Sequence, residues 1–342
     1  MSHPHPPSRE ESSRKRVLPQ LSRGYRSAIL LGVLLIFPFI APQFLVYVAL
    51  HIAIFVIGCH GLSLLTGFTG QISLGHAAFM GIGAYSSAIL MVRLGMPFWL
   101  TVPAGALVAA IVGLALGVPS LRLKGLYLAF ATLAAQYVIE FLIRRWDTLT
   151  GGVQGFLVPP ATLLGWTIEG DRSYYFLVVF LAILSTWTVR NLMISRIGRA
   201  FQAIRDSEIA AAAVGINVFA YKLLAFSMAA FYAGIAGALW GHYLGVITHD
   251  QFGIALSVEY LAFVIIGGIG HVSAAIIGPA FLICLTEALT YLTSTIASHN
   301  PGALTVLVSA KEILFGVVII VFLVFLPAGL APRFQSRWVK QR

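Results

Sequence analysis

From Ser27 to Leu121 the only aspartate, glutamate, lysine or arginine is Arg93. A polypeptide this long with one charge has almost nothing with which to make a soluble surface. Its apolar residues fall into runs of about twenty, the length that carries a helix through the hydrocarbon core of a bilayer. Across all 342 residues, 59% are apolar and 10% charged, against roughly 25% charged in a soluble domain. The expected fold class is therefore all-α: a polytopic integral membrane protein of about ten transmembrane helices, within a range of about eight to ten, with broken or re-entrant glycine-rich segments.

The apolar runs place spans at about 28–46, 48–66, 74–92, 98–118, 126–143, 174–192 and 222–244, with a last one at 311–328. Residues 257–295 are too long for one span and break at Gly267-Gly268-Ile269-Gly270, which makes two. The net charge of +10 would suggest a nucleic-acid partner in a soluble protein. Here lysine and arginine flank the spans, as they do on the cytoplasmic side of membrane proteins, and no nucleic acid is expected. An even span count leaves both termini in the cytoplasm. The predicted organisation is a basic tail at 1–26, one transmembrane domain at 27–330 and a second basic tail at 331–342. The loop with Arg122 and Lys124 and the loop 194–221 lie on the same side as the tails, and 144–173 lies outside. The first apolar run follows a long polar segment with no small-residue cleavage pattern, so it reads as a retained span. Cys59 and Cys284 both sit inside apolar runs and read as small buried hydrophobes, with no metal site or disulfide framework.

Four stretches interrupt this pattern. The first is Leu62–Tyr85, with Gly67, Gly70, Gly75 and Gly81. Glycine is a poor helix former, so an unwound element is expected near Gly67–Gly75, with Gln71, Ser73 and His76 as polar partners. Backbone exposed at membrane depth must be buried by protein or solvated in a cavity. Two readings stand: a broken helix lining a translocation path, or close helix packing through Ala77/Gly81 and Ala84/Ala88. His76 fits either. Gly67-x-x-Gly70-x-x-Ser73 recurs as Gly267-x-x-Gly270-x-x-Ser273, a short echo consistent with coincidence or with an internal repeat.

The second is Thr150-Gly151-Gly152-Val153-Gln154-Gly155 in the outer loop, a tight turn with left-handed backbone. It is too short for a phosphate loop, and the chain has no Gly-Lys pair. A Walker A motif is thereby excluded, and with it ATP hydrolysis by this chain alone. The third is Arg196–Tyr221, polar, short and helix-prone. Phe201, Ile204, Glu208, Ala211 or Ala212, and Gly215 fall on roughly one helical face, Arg205 and Glu208 can pair at i,i+3, and Gly215 stands at a C-cap position. Such a helix can lie on the membrane, dock on a partner or simply be solvated. The fourth is Glu287, a carboxylate in mid-span. Charge there is costly and usually serves a path or a helix-to-helix bridge.

The Gly67-Phe-Thr-Gly-Gln-Ile-Ser-Leu-Gly-His-Ala-Ala-Phe79 segment, Leu149–Gly155, Gly198–Phe226 and Val264–Gly278 together resemble the branched-chain amino acid ABC-transporter permeases, in particular the M-type subunit. The resemblance implies a subunit of an importer in the inner (plasma) membrane. Its partners would be a second homologous permease, two ATPase subunits and a periplasmic or surface solute-binding protein, with lipid around the spans. The chain itself would hold no cofactor; ATP and Mg would be bound by the ATPases. Glu208 through Gly215 resembles the Glu-Ala-Ala…Gly coupling loop of ABC importers, but Ile209 follows Glu208 and Gly215 comes one residue late. The residues implied for coupling are Arg199, Arg205, Asp206, Glu208, Ala211 and Gly215. Those for the path are Gly67, Gly70, Gln71, Ser73, His76 and Glu287, and those for docking of the binding protein are Thr150, Gly151, Gly152 and Gly155. The solute expected is a branched-chain or other hydrophobic amino acid. An amide or urea permease is the alternative, as is an ion-coupled carrier using Glu287. A membrane enzyme would need titratable groups converging on one cavity, and His60, His76, Glu140 and Glu287 are scattered in sequence.

Overall fold

The computed structural model describes residues 32–120, 123, 125–163, 166–168 and 170–299, then 313, 316–322, 324–326 and 329–331. The basic tail 1–26, Arg122, Lys124, part of the last predicted span and all of the tail beyond Ala331 lie outside these residues. The chain divides at Tyr47/Val48 into two compact units. In the first, residues 32–40 are helical and break at Ala41-Pro42.

Ten helices carry the described architecture: α1 (Gln43–Leu62), α2 (His76–Leu94), α3 (Phe98–Ser120), α4 (Leu126–Arg145), α5 (Asp171–Ile194), α6 (Arg196–Asp206), α7 (Glu208–Ala213), α8 (Val218–Leu244), α9 (Ile254–Gly267) and α10 (Ala274–His299). Among the described residues, eight segments are long and apolar enough to cross a membrane. The second predicted span begins earlier than expected, because the helix starts just after Pro42, where a missing N–H costs nothing. It also runs on, through a π-helical turn Ser63–Phe68, so that it ends past the predicted boundary at 66. The division of 257–295 stands: α9 ends at Gly267, and α10 begins at Ala274.

α2, α3 and α8 form the centre. They approach so closely that backbone meets backbone. A Cβ on Gly83 would strike the backbone of Gly234, one on Gly237 the backbone of Met80, and one on Gly234 would stand 2.8 Å from Ala106 Cα and from Ala109 Cβ. Small residues at helix crossings are the usual means of association in lipid, where expulsion of water gives no drive. Cys59 is buried as expected. Cys284 is not: it lies exposed on α10.

Two short antiparallel pairs decorate the bundle: β1 (Phe156–Leu157) with β4 (Val246–Ile247), and β2 (Thr162–Leu163) with β3 (Trp166–Thr167). β1 and β4 tie the 146–170 loop to the end of α8. A short helix Asp147–Thr150 and a 3₁₀ turn Gly152–Gln154 precede β1. Arg93, at the end of α2, donates to the Thr148 carbonyl of the same loop.

Candidate functional site

After the π-turn the chain is not helical again until His76. Gln71 N–H reaches back to the Leu65 carbonyl (3.1 Å), Thr69 Oγ1 donates to the same carbonyl (2.6 Å) and Thr66 Oγ1 donates to Gln71 O (3.0 Å). The unwound element predicted near Gly67–Gly75 is thus present, and its own side chains tie it off.

α2 then starts in the interior of the protein, which leaves its first N–H groups to be satisfied from elsewhere. Leu74 N–H donates to Thr132 Oγ1 (2.9 Å), Ala77 N–H to Ser257 Oγ (2.9 Å) and Ala78 N–H to Gln136 Oε1 (2.7 Å). The Gln136 amide also donates to the Phe252 carbonyl (2.6 Å). Thr132, Gln136 and Ser257 are all buried. Sequence reasoning missed them. Thr132 and Gln136 are one turn apart in an apolar span, which was the available signal, but nothing in it says what they hold. His76 is buried, and its Nε2 donates to the Gly58 carbonyl (2.9 Å), with the ring edge-on to Tyr260 at 4.8 Å. Ser73 is buried against the turn, its Oγ 3.4 Å from Gly75 N.

The loop 194–221 folds as two helices rather than one. Ser195 caps α6 by accepting from Ile197 N–H (3.2 Å), and Ser207 caps α7 by accepting from Ala210 N–H (3.3 Å). The break at Ser207 changes the predicted pairing. Arg205 does not meet Glu208; Glu208 pairs with Lys222 of α8, whose ammonium is buried. Arg205 Nε lies 3.5 Å from Asp206, and its Nη1 donates to the Gly67 carbonyl (3.2 Å). Arg199 Nη1 donates to Ile194 O at the end of α5 (3.0 Å). Phe201, Ile204 and Ala211 face inward, whereas Gly215, with φ +87°, stands in open space.

The two glycine breaks meet here. A Cβ on Gly67 would be 3.3 Å from Gly270 N, and one on Gly70 would be 3.4 Å from Arg205 Cγ. Gln71 Nε2 lies 3.5 Å from the Lys222 carbonyl. Residues expected in two separate roles, Gly67, Gly70 and Gln71 with Arg205 and Glu208, therefore form one cluster. Glu287 is elsewhere. It is on α10 with Oε1 3.7 Å from His51 Nδ1 of α1, and the His51 ring stacks on Trp240 at 4.8 Å.

The four outer-loop candidates form a compact turn. Thr150 Oγ1 donates toward Ile143 O (2.6 Å) and Trp146 O (2.9 Å) and accepts from Gly152 N–H (3.3 Å). Gly151, Gly152 and Gly155 all have positive φ. Thr150 and Gly152 are buried, and Gly151 and Gly155 are half-buried.

Glu208→Ala is expected to cost about 2 kcal/mol, the order seen when a hydrogen bond to a charged group is lost, because the Lys222 ammonium stays buried. Glu208→Gln, which keeps an acceptor, is expected to cost less. The ranking of their melting temperatures in detergent checks this.

Apolar helices crossing through glycine, two of them broken where they meet a polar helix pair, define a multi-pass membrane protein. The chain matches the family described as "Branched-chain amino acid transport system / permease component" over residues 44–323, and it belongs to that family. It is 33% identical over 282 residues to the high-affinity branched-chain amino acid transport system permease protein LivM of Salmonella typhimurium, and 32% identical to LivM of Escherichia coli. Each match covers 75% of this chain and 66% of the relative. The LivH permease protein of Salmonella typhimurium is 28% identical over 270 residues, 72% of this chain and 86% of its own length. No solved structure matches.

Proposed function

We propose that the chain is the membrane-spanning subunit of an ABC importer for branched-chain or other hydrophobic amino acids. It works beside a second homologous permease, with two ATPases on the cytoplasmic face and a solute-binding protein outside. The relatives' names carry the substrate class. The single structural observation that carries the coupling role is the exposed tip of α7. Ile209 is 83% exposed and Val214, at the C-cap, 76% exposed, while Ala211 is buried. Two large aliphatic side chains held outside the spans by a capped helix suit the groove of a partner protein better than water. On this reading α6 and α7 are cytoplasmic, and the loop 146–170 faces the binding protein.

The test is purification of a tagged chain from its native membrane, with co-purifying ATPases sought, followed by uptake in proteoliposomes. Ile209→Asp combined with Val214→Asp is expected to release the ATPases and abolish uptake while membrane insertion and thermal stability stay as in the wild type. ATPases that remain bound to this variant overturn the docking role of α7. Uptake by the chain without any ATPase overturns the ABC reading in favour of an ion-coupled carrier.

A further inference from the structure

Arg205 occupies an unusual position for a residue of a solvent-facing helix. The π-turn that prolongs α1 ends at Phe68, and α9 ends at Gly267. Both ends therefore present carbonyl groups without helical partners and the negative pole of a helix dipole. Arg205 Nη1 donates to Gly67 O at 3.2 Å. On the other side, a Cβ on Gly270 would collide with that same Nη1, and the backbone at Gly70 borders the Arg205 stem. The Arg205 side chain thus runs through a slot that Gly70 and Gly270 leave open beside the Gly67 carbonyl, between two broken helices that come from opposite halves of the chain. Its own helix, α6, is joined through Ser207 to α7, the segment with the exposed aliphatic tip. The Glu208–Lys222 pair fastens that junction to α8.

We propose that Arg205 is the positioning residue that couples α6–α7 to the two glycine breaks. It holds Gly67 and Gly270 together in this conformation and carries a displacement of α7 into the broken segments. This rests on the reading of α7 as the ATPase contact, and it adds a load path inside the permease. The chemistry suits the task. A guanidinium has five donors in a fixed fork, so it can serve carbonyls of two helices at once, which a lysine ammonium on a flexible stem does less well. A displacement of the first break withdraws the Gly67 acceptor from the guanidinium, and a displacement of the second opens the slot at Gly270, so the contact favours one discrete arrangement over a range of them.

The experiment uses the complete complex in proteoliposomes, with ATP hydrolysis and solute uptake measured on the same preparation. For Arg205→Ala, the ATPases are expected to remain bound and binding-protein-stimulated hydrolysis to persist. Uptake per ATP hydrolysed is expected to fall roughly tenfold, within the range of coupling between linked sites. Arg205→Lys is expected to fall between Ala and wild type. Should Arg205→Ala fail to accumulate in the membrane, Arg205→Lys carries the same measurement. An unchanged ratio of uptake to hydrolysis overturns the proposal. So does loss of the ATPases from Arg205→Ala, which would make Arg205 a docking contact and leave the importer reading intact. A wild-type complex that binds no ATPase removes the importer reading itself and is distinguishable from either.

Discussion

Gly237→Val is expected to prevent the chain from reaching its folded state in the membrane, seen as loss of the monodisperse peak in detergent and of any uptake. α8 passes α2 with the Gly237 Cα against the main chain of Met80, and even a single Cβ would overlap that backbone. Overpacking of a core commonly costs ~1–3 kcal/mol when side chains can move aside. Here the obstructing atoms are backbone, so relief requires separating two helices. Separation would undo the neighbouring crossings as well, because Gly83–Gly234 and Gly234–Ala106 share the same close approach. The expected loss is therefore above the usual range for overpacking. Gly245→Ala is the comparison. Gly245 has positive φ but nothing within 4 Å of its missing Cβ, so it tests backbone strain alone and is expected to fold with a lowered melting temperature.

Those crossings also show how much was legible in the sequence. Apolar runs separated by polar loops announced the helices, because a bilayer admits little else. The glycines at 67, 70 and 75 announced an unwound segment, because a helix does not tolerate that density of them. Gly267–Gly270 announced the second break for the same reason. What periodicity could not supply was partnership. Gly67 and Gly270 come within contact distance although about two hundred residues separate them in the chain. Arg205 and Glu208 have the spacing of a helical ion pair, yet Ser207 begins a new helix between them and each carries its charge to a different neighbour. Cys284 looked buried because its run is apolar; in a bilayer an apolar residue is as much at home on the outer face.

Gln136→Leu carries the second large effect, and it concerns the start of α2. Gln136 accepts from Ala78 N–H and donates to Phe252 O, and Ser257 Oγ lies 3.3 Å from the same Oε1. Leucine fills a similar volume but leaves an N–H and a carbonyl buried with no partner, each costing ~1–3 kcal/mol. In membrane proteins the unfolded reference finds partners of its own, and measured side-chain contributions fall toward ~0.6 kcal/mol. The higher figure governs here because the stranded groups are backbone, one of them at a helix terminus. The expected outcome is a clear fall in melting temperature, with reduced uptake in the protein that survives. Ser257→Ala removes the acceptor of Ala77 N–H and is expected to destabilise less. Because both side chains serve one helix end and touch each other, the double variant is expected to cost less than the sum of the two. Strict additivity in a double-mutant cycle would show that the two side chains act on that helix end independently of each other. An unchanged melting temperature for Gln136→Leu would show that α2 is held there by packing alone.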